Sequence, residues 1–246
     1  LGEPFNDQEL GSLVRNLLSL KSREREVEAL NHQLTEGVLK RYLPPDLVDQ
    51  IIAGDAALDQ EPQSLNATIL FSDLQGFTAL SGKLRARKLA RVLNEYLEVM
   101  NDVIFEHGGT IDKFIGDAIM VIFGAPKPLV APEQAEKAVA CARAMQEAMV
   151  GLNKKWQEDG IPELKMRIGI HHGPSVVGTF GSEKRSDYTA IGPTVNLASR
   201  IESVCEPGRV FVSGELCDFL PEDAAEEAGE FDLKGIAGEV TLYRVV

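Results

Sequence analysis

The stretch Thr110-Ile111-Asp112-Lys113-Phe114-Ile115-Gly116-Asp117-Ala118-Ile119-Met120-Val121-Ile122-Phe123 decides the fold class of this chain. Two apolar, β-branched runs at 110–114 and 118–123 are separated by a glycine and an aspartate, which are turn-forming residues. The pattern predicts two antiparallel strands joined by a tight turn at Gly116-Asp117.

Around this hairpin the sequence alternates further predicted strands with predicted helices. Apolar residues at helical spacing predict amphipathic helices at 84–107, 133–152 and 193–204. Short apolar runs predict strands at 67–71, 164–171, 175–179, 210–213 and 241–246, with a turn at Gly173-Pro174 and a solvated acidic loop at 222–232. Hairpins mixed with crossover helices indicate an α+β domain built on a mixed, mostly antiparallel sheet with flanking helices.

Residues 8–43 have a different pattern, because their apolar residues fall on two heptad positions. These residues are Leu10, Leu13, Leu17, Leu20, Val27, Leu34 and Val38. Asn31 stands at a seam position, where asparagine fixes register, so we favour a parallel coiled coil over a single amphipathic helix lying on the domain. Pro44-Pro45 ends this helix, and Asp46 is expected to cap a short helix from Leu47 to Ala53. The predicted organisation is a coiled-coil helix at 1–43, a short helix and linker at 44–63, and a globular domain at 64–246.

Composition excludes several classes of protein. The 246 residues carry a formal net charge of −13, and a chain this acidic lacks the clustered lysines and arginines of nucleic-acid-binding proteins. Three cysteines form no disulfide framework, which favours a reducing, cytoplasmic location. No apolar run approaches the roughly 18 residues of a membrane span. Because the sequence starts at Leu1 rather than Met, we expect a piece of a longer protein, with an upstream sensor or membrane domain.

Two aspartates stand where predicted strands end. Asp73 follows the strand at 67–71, and Asp117 lies in the hairpin turn. If the hairpin lies beside that strand, both carboxylates reach one point and offer the hard oxygen ligands that suit Mg²⁺. The alternative is that each aspartate only caps its own turn.

A second group of polar side chains is cationic or neutral. Asn196 and Arg200 lie four residues apart on one face of a predicted helix, where they suit a sugar and a phosphate or form an ordinary exposed face. Arg167 lies between apolar neighbours in a predicted strand and requires an anionic partner, either a carboxylate or a phosphate.

Four motifs in order resemble the catalytic domain of the class III nucleotidyl cyclases. The resemblance covers about residues 64–246 and rests on the segments Phe71–Thr78, Gly108–Asp117, Arg167–Gly173 and Gly192–Arg200. It implies a ferredoxin-like α+β domain that works as a head-to-tail homodimer, with composite active sites at the interface. It further implies that two Mg²⁺ or Mn²⁺ ions per site are bound by Asp73 and Asp117.

The resemblance also implies roles for the remaining motif residues. Lys113 would read the purine from the partner subunit, Asn196 would orient the ribose, and Arg200 would stabilise charge on the α-phosphate. Arg167 would help to bind the phosphates from the side of the metal ions.

Substrate choice is implied by two positions. In the family, lysine with aspartate or threonine goes with adenine, and glutamate with cysteine goes with guanine. Here the two positions hold Lys113 and Thr189, so the resemblance implies ATP as substrate and cyclic AMP as product. The threonine variant resembles the bicarbonate-responsive subgroup, which makes bicarbonate a candidate activator.

One position departs from the family pattern. The phosphate-binding lysine that often precedes the last strand is replaced by Ile236, and Lys234 is the nearest cation. Either Lys234 or another cation serves, or triphosphate binding is weaker.

Rival interpretations are a catalytically silent dimeric nucleotide-binding module and a guanylate cyclase. Loss of Asp73, Asp117 or Arg200 would favour the silent module, but all three residues are present. Lys113 disfavours a guanylate cyclase. A P-loop motif is absent from the sequence.

Overall fold

A computed structural model describes residues 7–34, 47–49, 52, 61–182 and 184–246. The chain divides into two compact units, Leu1–Ala56 and Ala57–Val246. The predictions made for Val38, Pro44-Pro45 and Asp46 lie outside the described residues, as does most of the linker. No helix in the described parts of the chain is long and apolar enough to cross a membrane.

The first unit contains the helix α1 (Asp7–Leu34), which confirms the prediction of a helix in this region. Its apolar seam faces solvent: the exposed fraction is 54% at Leu13, 57% at Leu17 and 62% at Leu20. Val27 and Leu34 are similarly exposed. Such a stripe on an amphipathic helix matches the pattern expected of a coiled-coil strand, and the coiled coil stays a prediction.

The second unit is built on one mixed sheet. Its strands are β1 (Gln63–Gln75), β2 (Thr110–Ile115), β3 (Ala118–Phe123), β4 (Lys165–Ser182), β5 (Arg185–Ile191), β6 (Val210–Ser213), β7 (Ala225–Asp232) and β8 (Glu239–Val245). The order across the sheet is β2-β3-β1-β4-β6-β8-β7, and β5 pairs with β4. Among the pairs described, β4 and β6 run parallel and the others run antiparallel. The predicted α+β class and mostly antiparallel sheet are confirmed.

Helices cover the sheet on both faces. The remaining helices are α2 (Phe77–Ser81), α3 (Ala86–Glu106), α4 (Ala131–Glu158), α5 (Pro193–Val204) and α6 (Gly214–Cys217). Side chains of successive strand residues point to opposite faces. Leu70 of β1 therefore packs with α3 and α4, while Ile69 packs in a separate cluster that includes Ala198 of α5.

Close packing of α5 depends on a glycine in β4. A methyl group built on Gly169 would lie 2.1 Å from the backbone nitrogen of Glu202 in α5. Since no side-chain carbon fits in that space, the glycine sets how near α5 lies to the sheet.

Two local predictions are wrong, and one strand was not predicted. The turn at Gly173-Pro174 is wrong, because β4 continues through it and pairs Gly173 with Ala67 of β1. Proline is tolerated there because β6 pairs with β4 only up to Ile170 and β5 only from Val176, so β4 has one partner strand at that point. The acidic loop is also wrong over 225–232, which forms the edge strand β7, and β5 was not predicted at all. Exposed acidic side chains on an edge strand oppose pairing with other chains.

Candidate active site

The first group of site residues is a pair of carboxylates at the end of β1. Antiparallel pairing of β1 with β3 brings this strand end beside the β2–β3 turn, and the backbone N–H of Leu74 donates to Oδ2 of Asp117 at 3.2 Å. Burial raises the pKa of Asp117 above its ordinary value, and the nearby negative charge of Asp73 raises it further. The structure therefore brings the two predicted aspartates together.

These carboxylates fit the divalent cation that the sequence implies. Their oxygens are the hard ligands that Mg²⁺ and Mn²⁺ prefer, and a positive charge between them would relieve the repulsion that raises the pKa of Asp117. Over the described residues, no group of three or more histidine, cysteine, aspartate or glutamate side chains converges to hold a metal.

Arg167 lies opposite Asp73 in the register of β1 and β4. Its Nε and Nη2 donate to Oδ2 of Asp73 at 3.2 and 3.0 Å, and its Nη1 donates to the carbonyl of Ser203 at 3.1 Å. The required anionic partner is thus a carboxylate in this structure. The contact with phosphate stays a prediction.

Glu202, which was not predicted as a site residue, is a second acid beside the same guanidinium. Its Oε1 lies 2.7 Å from Nε of Arg167, but it accepts no hydrogen bond because that N–H points to Asp73. Burial raises the pKa of Glu202 to about 7, although Arg167 opposes the shift. No local sequence pattern predicts a role for Glu202, because the residue lies beside Arg167 only when α5 packs closely over Gly169.

The second group of site residues joins β2 to β5. Lys113 and Thr189 both contact Asp112: Oγ1 of Thr189 donates to Oδ2 at 2.5 Å, and Nζ of Lys113 lies 3.3 Å from Oδ1. Asp112 stands at an irregularity of the β2–β3 register between Ile111 and Lys113. Its side chain is 1% exposed, whereas that of Lys113 is 43% exposed.

Burial raises the pKa of Asp112 above its ordinary value, and the contacts with Thr189 and Lys113 oppose that rise. Asp112 was not predicted as a site residue. The available signal is an aspartate inside a predicted strand, where this residue is disfavoured.

Asn196 and Arg200 form the third group, on the side of α5 away from its buried residues Ala198 and Ile201. Asn196 is exposed and Arg200 is half-buried. In the part of the chain that the structure describes, neither side chain makes a hydrogen bond or an ion pair with the two carboxylates. One chain thus presents these residues on the helix surface.

Lys234 is exposed in the loop between β7 and β8, and two strands separate β8 from β1. The neighbouring Ile236 packs partly against a cluster that contains Leu233 and Leu242. The residue at the usual lysine position therefore serves packing, and a single chain does not bring Lys234 to the carboxylates.

Comparison with known proteins places the domain in a family. Residues 60–246 match the model of the adenylate and guanylate cyclase catalytic domain. The chain is 33% identical to adenylate cyclase 1 of Rhizobium meliloti (strain 1021) over 93% of its own length and 36% of that protein. It therefore spans about a third of this curated relative.

Two solved structures share the fold at higher identity. The adenylyl cyclase CyaB from P. aeruginosa is 42% identical with a TM-score of 0.73, covering 76% of this chain and 96% of that one. The guanylyl cyclase Cya2 is 40% identical with a TM-score of 0.71, covering 76% of this chain and 94% of that one. Together with the family match, these similarities establish that the chain belongs to the class III nucleotidyl cyclases, the family of adenylate and guanylate cyclase catalytic domains.

Proposed function

We propose that this chain is an adenylate cyclase, which converts ATP to 3′,5′-cyclic AMP and pyrophosphate. The observation that carries the choice of ATP is the meeting of Lys113 and Thr189 at the carboxylate of Asp112. An ammonium group donates to a ring nitrogen of adenine, and a threonine hydroxyl accepts from the exocyclic amine.

In the proposed reaction the ribose 3′-oxygen attacks the α-phosphate, and pyrophosphate leaves. Asp73 and Asp117 would hold two Mg²⁺ or Mn²⁺ ions, which supply a lowered pKa for the attacking hydroxyl and charge neutralisation for the leaving phosphates. Asn196 orients the ribose, and Arg200 donates to the oxygens of the α-phosphate, where negative charge builds up. Positioning and charge stabilisation suffice, so no nucleophilic side chain is required.

The phosphates beyond the reacting centre need cations of their own. Arg167 is the candidate nearest the carboxylates. Its guanidinium matches the geometry of a phosphate group, which it would bind by giving up its ion pair with Asp73. Lys234, in the loop between β7 and β8, is the second candidate for binding these phosphates.

We further propose that the active sites are composite and form in a homodimer. Asn196 and Arg200 stand on the surface of α5 without contact to the carboxylates of the described chain, so a second copy would bring them to the substrate. The exposed seam of α1 supports a parallel pairing of two such chains.

A GTP-using or catalytically silent module is the second candidate. Identity to the two solved structures does not separate the substrates, because it is 42% for the adenylyl cyclase and 40% for the guanylyl cyclase. Retention of Asp73, Asp117 and Arg200 argues against a silent module.

The test is to incubate the purified chain with ATP and Mn²⁺, and separately with GTP and Mn²⁺, and to separate the products by chromatography. Cyclic AMP from ATP, with little cyclic GMP from GTP, is the expected result. An Asp117→Asn variant of equal thermal stability controls for a contaminating cyclase. Predominant cyclic GMP, or no cyclic product from a folded dimer, would favour the second candidate.

Regulation is proposed at two levels. Bicarbonate would stimulate turnover, as the threonine at position 189 suggests, and an upstream sensor or membrane domain of the full-length protein would act through α1. A rate that stays flat from zero to tens of millimolar bicarbonate at fixed pH would exclude the first of these.

A further inference from the structure

Asp112 is a buried carboxylate to which the proposed reaction assigns no task. Its Oδ2 accepts two hydrogen bonds, from Oγ1 of Thr189 at 2.5 Å and from the backbone N–H of Ala190 at 3.2 Å. Its Oδ1 forms an ion pair with Nζ of Lys113 at 3.3 Å. A carboxylate that is 1% exposed is costly to bury, so its retention beside both base-reading residues calls for an explanation.

The contact between Asp112 and Thr189 decides where the hydroxyl hydrogen points. A threonine hydroxyl has one hydrogen to donate and two lone pairs to accept with. Two acceptors lie within reach: Oδ2 of Asp112 at 2.5 Å and the carbonyl of Ala190 at 3.3 Å. Oδ2 of Asp112 takes the hydrogen, because 2.5 Å lies within the usual range of an O–H···O hydrogen bond and 3.3 Å lies beyond it.

We infer that Asp112 is a positioning residue that sets nucleotide specificity by holding the hydroxyl of Thr189 as an acceptor only. The inference rests on the proposed adenylate cyclase function and adds a residue to it. With its hydrogen committed to Asp112, Thr189 accepts from the exocyclic amine of adenine but has nothing to donate to the carbonyl oxygen of guanine. An acceptor facing an acceptor leaves both unsatisfied, which disfavours GTP.

The ion pair with Lys113 offers a second route by which Asp112 would influence specificity. If Asp112 acted by directing the ammonium group, its removal would matter whether or not Thr189 has a hydroxyl. A double-mutant cycle separates the two routes, since residues that act through one another give non-additive effects.

The experiment measures the ratio of kcat/KM for ATP to that for GTP in the full chain and in three variants: Thr189→Val, Asp112→Ala and the double variant. We expect each single variant to lower the ratio about tenfold or more, since a site built to bond a polar group discriminates strongly. Asp112→Ala should have no further effect in the Thr189→Val background. An unchanged ratio in Asp112→Ala, or additive losses in the double variant, would overturn the inference.

Two control variants separate specificity from general damage. Asp112→Asn keeps an oxygen beside the Ala190 N–H and should retain most of the ratio, while Asp187→Ala removes an exposed charge from the same strand as Thr189 and should leave it unchanged. Thermal unfolding of every variant shows whether the fold is intact. Loss of the ratio in Asp112→Asn as large as in Asp112→Ala would assign the effect to the charge and contradict the acceptor role.

The role of Asp112 can be tested even if the chain has no cyclase activity. If the wild-type chain forms no cyclic nucleotide, the dissociation constants of ATP and GTP, measured by displacement of a fluorescent nucleotide, replace the kinetic ratio. Preference for ATP that disappears in Asp112→Ala would uphold the inference in a silent protein. Equal binding of ATP and GTP by the wild-type chain would refute it.

Discussion

The guanidinium of Arg167 donates two hydrogen bonds to the same carboxylate oxygen of Asp73, from Nε at 3.2 Å and from Nη2 at 3.0 Å. The two residues face each other across paired strands, and their side chains are 28% and 25% exposed. Arg167 thus supplies positive charge to Asp73, which lies beside the second carboxylate, Asp117.

Replacing Arg167 should make the fold more dependent on divalent cations. In Arg167→Ala the charge of Asp73 loses its donors, so we expect the free energy of unfolding without metal to fall by about 1–3 kcal/mol. Added Mn²⁺ should raise the unfolding temperature more in this variant than in the wild type. Arg91→Ala, which removes an exposed ion pair with Asp159, is the control and should lose less than about 1 kcal/mol. Equal responses to Mn²⁺ in Arg167→Ala and wild type would contradict the stabilising role.

Composite sites predict complementation between inactive variants. Asp117→Ala and Arg200→Ala should each lose nearly all cyclase activity as homodimers, because every site lacks one essential group. Mixed, they should recover activity, since one of the two sites in the heterodimer regains every wild-type residue. Asp73→Ala with Asp117→Ala is the matched control and should not recover, because both changes fall in the same half of a site. No recovery in a demonstrated Asp117→Ala and Arg200→Ala heterodimer would contradict the shared site.

Buried histidines should make stability fall in mild acid. Burial lowers the pKa of His172, whose Nδ1 lies 2.9 Å from Oγ1 of Thr68, below the ordinary value of 6.5. As the pH falls below 6.5, His172 becomes protonated in the unfolded chain before it does so in the folded chain. The free energy of unfolding therefore falls until the pH passes below the lower pKa of the folded state. His172→Asn should therefore show a smaller drop in unfolding temperature between pH 8 and pH 5.5 than the wild type. An identical drop in His172→Asn would assign the acid sensitivity to other groups.

The two glycines 169 and 151 should respond oppositely to alanine. In Gly169→Ala the new methyl group would lie 2.1 Å from the backbone of α5, so we expect a loss of about 1–3 kcal/mol and reduced activity as the helix shifts. Gly151 lies within α4, where an added methyl group would meet no atom of another described element within 4 Å, and Gly151→Ala should stabilise by about 0.5–1 kcal/mol. Urea unfolding midpoints measure both changes. A neutral Gly169→Ala would mean that α5 lies further from the sheet.

The phase of α1 should control activity if the helix is a coiled-coil strand. Inserting one residue directly after Leu34 shifts the heptad phase of the predicted coiled coil by about 100° and should change the turnover rate several-fold without altering the unfolding temperature of the catalytic domain. Inserting seven residues restores the heptad phase and should return the rate towards wild type. Equal rates in all three proteins would leave α1 as a tether.

Local patterns predict part of this fold well. The bounds of α5 and β6 are observed as predicted at 193–204 and 210–213, because periodic apolar residues and turn residues delimit them. β5 escaped prediction because Arg185, Ser186 and Asp187 at its start carry no apolar alternation. These residues form a strand because they pair with β4, and that pairing is a tertiary contact.

The sequence by itself determined the family, the order of most elements and the candidate residues, since motif residues and periodicity are local properties of a chain. Tertiary structure decided which groups meet: Arg167 with Asp73 and Glu202, and Thr189 with Asp112, its partner 77 positions away. Such contacts depend on strand register, on the irregularity in β2 and on the close approach of α5 over Gly169. Each of these arises from packing the whole sheet, so no local pattern encodes them.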